Sequence, residues 1–128
     1  MQGDRIEPDL DVRLLNMLAL VVESDDELFS FFASSRYALL LMTKVLLKSS
    51  QQRGLSKEEC LKIGQDMRSR THRQNFIEEA VRRGFFEKQQ SPHDGRQVVI
   101  TPTKKTKHLF REWAKAYHEI RRSAFGGE

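Results

Sequence analysis

Apolar residues recur at helical spacing along most of this chain, and in one place the pattern changes to that of strands. After Pro8, "DLDVRLLNMLALVVE" sets Leu10, Leu14, Met17 and Val21 at intervals of four, three and four, with Leu15, Leu18 and Val22 widening the stripe. That spacing predicts a helix with more apolar surface than one small core needs. "SDDE" at 24–27 has the Ser-x-x-Glu form of a capping box and predicts a new turn or short helix carrying Leu28, Phe29, Phe31 and Phe32. Ser34 or Ser35 caps the next predicted helix, about Arg36 to Ser50, which is apolar almost all round and so expected at the centre. Gly54 closes that unit.

"LSKEECLKIGQDM" opens on a second capping box, Ser56 with Glu59, and places Cys60, Ile63, Gly64 and Met67 on one helical face. After a short break at Arg68-Ser69, "RTHRQNFIEEAVRRG" has Phe76, Ile77, Ala80 and Val81 as its buried stripe and stops at Gly84. Two helices joined by a turn of about three residues form a helix-turn-helix. Residues 85–90 and 97–101 read as two strands around the turn in "SPHDGRQ". Thr101-Pro102-Thr103 restarts a helix, with Thr as cap and Pro compatible with a first turn. This helix, to about Arg122, carries Phe110, Trp113, Tyr117, Ile120 and Ala124 at spacings of three and four, a narrow seam for one partner helix. The predicted fold is mainly α with a small β-hairpin wing: a winged helix-turn-helix. It forms one domain over 1–128, with an N-terminal helical dimerisation segment (1–33), the winged core (34–102) and a C-terminal dimerisation helix and tail (103–128).

Composition supports a single core in 128 residues. The longest strongly apolar stretch, "YALLLMTKVLL", is broken by Thr43 and Lys44, so no membrane span is expected. Early charges at the N-terminus argue against an export signal, and one cysteine fits a reducing compartment, so the expected location is cytoplasmic. The net charge of +4 conceals a division. Residues 1–30 hold eight acids against Arg5 and Arg13, whereas residues 31–128 hold twenty Lys or Arg against ten acids. A basic body is the outline of a polyanion binder, with a merely well-solvated surface as the plainer alternative.

With these elements in place, the chain resembles the MarR family of bacterial winged-helix transcription regulators over roughly residues 36–120. "SRTHRQNFIEEAVRRGFFEK" looks like that family's recognition helix running into the Arg-Arg-Gly-hydrophobic step that starts the wing. "SPHDGRQVVITPTKKT" looks like its wing, with an Asp-x-Arg signature at Asp94 and Arg96 and Thr103 nine residues after that Asp. Several positions depart from the pattern. Arg73 stands where the family has a small apolar residue facing the core, so either the helix is rotated or Arg73 snorkels. Thr106 replaces a Gly and Pro102 a Leu, the helix before the recognition helix sits one residue nearer to it, and the C-terminal dimerisation region is shorter. The resemblance implies a homodimeric regulator of transcription.

Double-stranded DNA is the expected partner, because a helix fits the major groove and Lys or Arg neutralise phosphate. On the helix from Ser69, Thr71 and Asn75 point away from the apolar stripe, flanked by Arg70, His72 and Gln74. Arg suits guanine, Asn or Gln adenine, and Thr a thymine methyl or a phosphate. Glu78 and Glu79 would repel phosphate, which confines contacts to the N-terminal half. Arg96 at the wing tip is expected in the minor groove, oriented by Asp94, with Lys88 and His93 adding phosphate contacts. Ser35, Arg36, Arg68 and Ser69 are expected to bind phosphate at helix starts.

Leu10, Leu14, Met17 and Val21 of the first helix and Phe110, Trp113, Tyr117 and Ile120 of the last are expected to build the dimer interface. Cys60 lies on an apolar stripe, where a packing role outweighs an oxidation sensor. His72, His93, His108 and His118 have no ligand spacing with it, so no metal is expected, and no cofactor. No nucleophile motif or phosphate loop points to an enzyme. A small-molecule effector is possible but nothing in the sequence supports one. Two other readings compete: a winged-helix module that docks on an acidic protein or serves in a larger assembly without binding DNA specifically, and an RNA-binding winged helix.

Overall fold

The computed structural model describes residues 6, 9–23, 26–91, 95 and 97–124. Among them the chain runs α1 (Leu10–Glu23), α2 (Glu27–Phe32), α3 (Arg36–Ser50), β1 (Leu55–Ser56), α4 (Lys57–Lys62), α5 (Arg70–Arg82), β2 (Phe86–Gln90), β3 (Val98–Pro102) and α6 (Lys104–Ala124). Short side chains open the helices. Ser35 Oγ accepts the amide of Ala38 at 3.1 Å, and α3 keeps its predicted bounds. Ser56 and Glu59 form the predicted reciprocal box at the start of α4. The cap of α2 is Asp26, which accepts the amide of Phe29 at 2.9 Å, two residues beyond the Ser24 expected for that role.

Three further expectations are corrected. First, α4 stops at Lys62 instead of continuing to Met67: Ile63 leaves the helix with ψ 126° and Gly64 has φ +71°. The positive φ turns the chain beneath Tyr37, whose ring lies where a Gly64 side chain would be. The link from α4 to α5 is therefore longer than a three-residue turn. Second, Pro102 is the last residue of β3, paired with Phe86, and Thr103 is the cap of α6, accepting the amide of Thr106 at 3.3 Å. Third, α3 is central but keeps an open side, with Leu39 and Leu47 exposed.

The sheet has the order β1-β3-β2 and is antiparallel throughout. Two-residue β1, which the apolar pattern does not signal, adds to the wing hairpin through Leu55 opposite Ile100. One sheet face packs inward: Phe86 and Ile100 join Leu41 and Val45 of α3, Ile77 and Ala80 of α5, and Leu28 and Phe32 of α2 in one core. Burying each large side chain of this set contributes about 1.5–3 kcal/mol before entropy is counted. α1 lies along α6 in the same chain, yet Leu14, Leu15, Leu18 and Val22 remain exposed, as do Phe110 and Tyr117. The side chains of Leu10, Met17, Val21 and Ile120, the other residues expected at a dimer seam, lie outside the description. Among the described residues no helix is long and apolar enough to cross a membrane.

Candidate nucleic-acid interface

α5 has two chemically distinct faces. Arg73, Ile77 and Ala80, at intervals of four and three, are buried, with Phe76 and Val81 half-buried beside them. The opposite side exposes Arg70, Thr71, His72, Gln74 and Asn75, the five residues expected to face DNA. Thr71, Gln74 and Asn75 make no side-chain hydrogen bond among the described residues, so their donors and acceptors are uncommitted. Ser69 caps the helix by accepting the amide of His72 at 3.1 Å.

The start of α3 is drawn to the same end of the molecule. Tyr37, second residue of α3, meets His72 edge-on at 6.0 Å and Phe76 at 5.6 Å. Exposed Arg36 and half-buried Ser35 thus neighbour the first turns of α5, and Arg68 and Ser69, in the link between α4 and α5, are exposed. Two helix starts at one end present free amides together, the arrangement that suits phosphate.

Part of the positive charge is already matched. Arg70 Nη2 lies 3.1 Å from Glu58 Oε1. Lys88 Nζ donates to both oxygens of Glu78 at 3.1 Å, which ties β2 to α5 and gives this expected phosphate-binding residue an internal partner. Arg82 pairs with Glu79, and Arg83 Nε lies 2.7 Å from the same carboxylate. Glu78 and Glu79 are thereby neutralised, so the repulsion expected from them is weakened. These are solvent-exposed pairs of roughly 0–1 kcal/mol each, weak enough to be exchanged for phosphate. The hairpin is closed by the Ser91 amide donating to Gln97 O at 2.8 Å. His93, Asp94 and Arg96 lie outside the described residues.

The wing grows directly out of α5. Gly84, φ +81°, ends α5 in a Schellman turn: its amide donates to Val81 O at 3.1 Å and that of Phe85 to Ala80 O at 2.9 Å. Thr103 Oγ1 donates to Gly84 O at 2.6 Å and buried Thr106 Oγ1 to Phe85 O at 2.7 Å. The start of α6 is therefore pinned where helix becomes wing.

Solved structures with a similar overall fold include two variants of MepR. A MepR variant from S. aureus bound to an oligodeoxyribonucleotide superposes with a TM-score of 0.55 at 16% identity, covering 90% of this chain and 81% of that one. A second MepR mutant, from a multidrug-resistant S. aureus clinical isolate, gives 0.52 at 16% identity over 90% of this chain and 80% of that one. A putative MarR-like transcription regulator from Bacillus cereus gives 0.47 at 14% identity, over 90% and 78%. The chain has a MarR-like winged-helix fold. No protein-family model and no curated protein matches its sequence.

Within this MarR-like fold, the departures at Arg73 and Thr106 have clear physical roles. Arg73 is turned inward, only 7% exposed: Nε donates to Arg68 O at 3.0 Å and Nη1 to Leu61 O. A guanidinium thus fastens the end of α4 and the turn to α5, in an orientation that leaves the polar side of α5 outward. Its place in the 73–77–80 stripe was the available signal, but an Arg there reads equally as a snorkelling surface residue. Thr106 supplies a hydroxyl for a wing carbonyl that no glycine could serve. Cys60 is fully buried and burial pushes its thiol up to about 12, an environment that disfavours the thiolate an oxidation sensor needs. Trp113, expected at a dimer seam, stacks on Phe29 of its own chain and is only partly exposed.

Proposed function

We propose that this protein is a sequence-specific double-stranded DNA-binding regulator of transcription that acts as a homodimer. The observation that carries the reading is the uncommitted polar face of α5, Thr71, Gln74 and Asn75, beside the exposed starts of α3 and α5. In this reading Gln74 and Asn75 contact base edges in the major groove, Thr71 a methyl or phosphate, and Arg70, His72, Ser35, Arg36, Arg68 and Ser69 the flanking backbone. Arg96 enters the adjacent minor groove, and Lys88 exchanges Glu78 for phosphate. The fold shared with MepR, one variant of which binds an oligodeoxyribonucleotide, supports a nucleic-acid partner. The exposed apolar residues of α1 and α6 support a two-fold dimer, which would set two recognition helices about 34 Å apart on a pseudo-palindromic site.

Selection of bound sequences from a random duplex pool tests the reading. A two-fold symmetric consensus that loses definition in Asn75→Ala is expected, and recovery of no preferred sequence overturns it. The ion pairs holding Arg70 and Lys88 leave less free charge for phosphate and keep open a second reading, a winged-helix module that docks on a protein without binding DNA specifically. Salt separates the two: phosphate neutralisation predicts a steep fall in affinity for random duplex as salt rises, whereas a docking module shows no duplex binding to weaken.

A further inference from the structure

A cavity of about 630 Å³ lies on the outer side of the sheet, away from the core. Open to solvent on one side, it is bordered by the C-terminal end of α3 and the loop after it, the start of α4, strands β2 and β3, and the start of α6. Four cations line it: Lys48, Arg53, Lys104 and Lys107. None is in an ion pair among the described residues, in contrast to Arg70, Arg82, Arg83, Lys88 and Lys105, each of which has a carboxylate partner. Among the described residues the carboxylates in the lining are Glu59 and Glu87. Glu59 is fastened to the Ser56 amide, which with lesser help from Lys48 and Lys62 holds its pKa below the ordinary value. Glu87 accepts from Gln89 Nε2 at 3.4 Å. The wall therefore keeps an excess of positive charge facing a shared space.

The floor is built for close approach. A side chain at Gly54 would meet Val99 Cβ at 2.8 Å and Thr101 Cγ2 at 2.9 Å, so only glycine lets the loop lie this near the sheet. Thr101, which lines the cavity, has a buried hydroxyl with no hydrogen-bond partner among the described residues. Buried hydroxyls ordinarily find a partner. Ser49, Gln52 and Gln97 add neutral donors, and among the described residues no aromatic ring lines the space. From these features we infer a binding site for a small polyanion bearing two or more phosphate or carboxylate groups. Its volume exceeds the needs of a single phosphate and falls in the range of roughly 300–1,000 Å³ usual for small-molecule sites.

The site lies away from the exposed face of α5 and the start of α3, while Ser91 and Gln97 on its rim border the wing turn. Lys48 and Arg36 stand at opposite ends of α3, roughly 18 Å apart at the rise of an α-helix. The test is a titration of the full chain without DNA, at constant ionic strength, with inorganic pyrophosphate, citrate and acetate, followed by amide chemical shifts. Saturable binding of pyrophosphate, citrate or both is expected, with shifts centred on Val99 and Thr101 and acetate inactive. Pyrophosphate alone identifies a phosphorylated ligand, citrate alone a polycarboxylate. The double substitution Lys104→Gln, Lys107→Gln is expected to weaken binding by about tenfold or more, while Arg36→Gln leaves it unchanged. Pyrophosphate and citrate no more effective than acetate, shifts scattered over the surface in the unsubstituted chain, or equal loss in Arg36→Gln would each overturn the inference. Because no DNA is present, such a failure leaves the DNA-binding reading untouched.

Discussion

The guanidinium of Arg73 in α5 donates to the main-chain carbonyl of Leu61 in α4, so the two helices of the helix-turn-helix are fastened by a buried charge. A second bond, to Arg68 O, holds the turn itself. Helix ends leave carbonyls without intrahelical partners, and here a side chain from the next helix satisfies one of them.

Arg73→Ala is expected to lose about 2–4 kcal/mol of stability, since both carbonyls lose their donor and a void opens. Arg73→Lys keeps the charge without the two-pronged donor and should fall between. Urea unfolding measures both. A wild-type midpoint in Arg73→Ala would mean that the turn does not depend on this side chain.

The two positive-φ glycines should behave differently. At Gly84, φ +81°, no atom stands within 4 Å of an added side chain, so Gly84→Ala meets only the backbone penalty of about 1–2 kcal/mol. At Gly64, φ +71°, the added carbon also collides with the Tyr37 ring, so Gly64→Ala should be the more damaging of the pair. Thermal midpoints in the reverse order would contradict this account of the turn.

Alkaline pH should destabilise the fold. The Cys60 thiol titrates near 9.0 when unfolded and, raised by burial, near 12 when folded. Its contribution is complete below pH 9 and is lost as pH rises toward 12, because the unfolded chain alone sheds the proton in that interval. Tyr37, also raised chiefly by burial, adds to the loss above its ordinary value of 10.0. Cys60→Ala is expected to flatten the fall in urea midpoint between pH 9 and 10. An unchanged slope would show that other groups dominate.

Glu58→Gln should tighten binding to duplex DNA by roughly twofold to fivefold at low salt, because Arg70 loses its internal competitor. Fluorescence anisotropy across a salt series gives the comparison. Weaker binding would assign the Arg70–Glu58 pair a positioning role instead of a competing one.

Helix starts were legible where a cap and an apolar stripe coincide: Ser35, Ser56 and Ser69 each open the helix expected of them. The end of α4 was not, because Ile63 and Met67 continue the apolar spacing while the chain must turn at Gly64 to pass Tyr37, a contact between residues 27 positions apart. β1 was invisible for a related reason: two residues carry no period, and their pairing depends on Ile100 and Val99. The exposed face of α5 followed from helical geometry alone, but its ion pairs did not. Glu58 and Arg70, or Glu78 and Lys88, approach only once the elements are packed.

The short helix α2 is gripped from two sides. Phe29 stacks on Trp113 of α6, while Phe31, two residues on, stacks on Phe76 of α5 at 4.5 Å. Stacked rings resist sliding apart, so a tilt of the long terminal helix would have to repack this aromatic pin and, through it, the seat of α5.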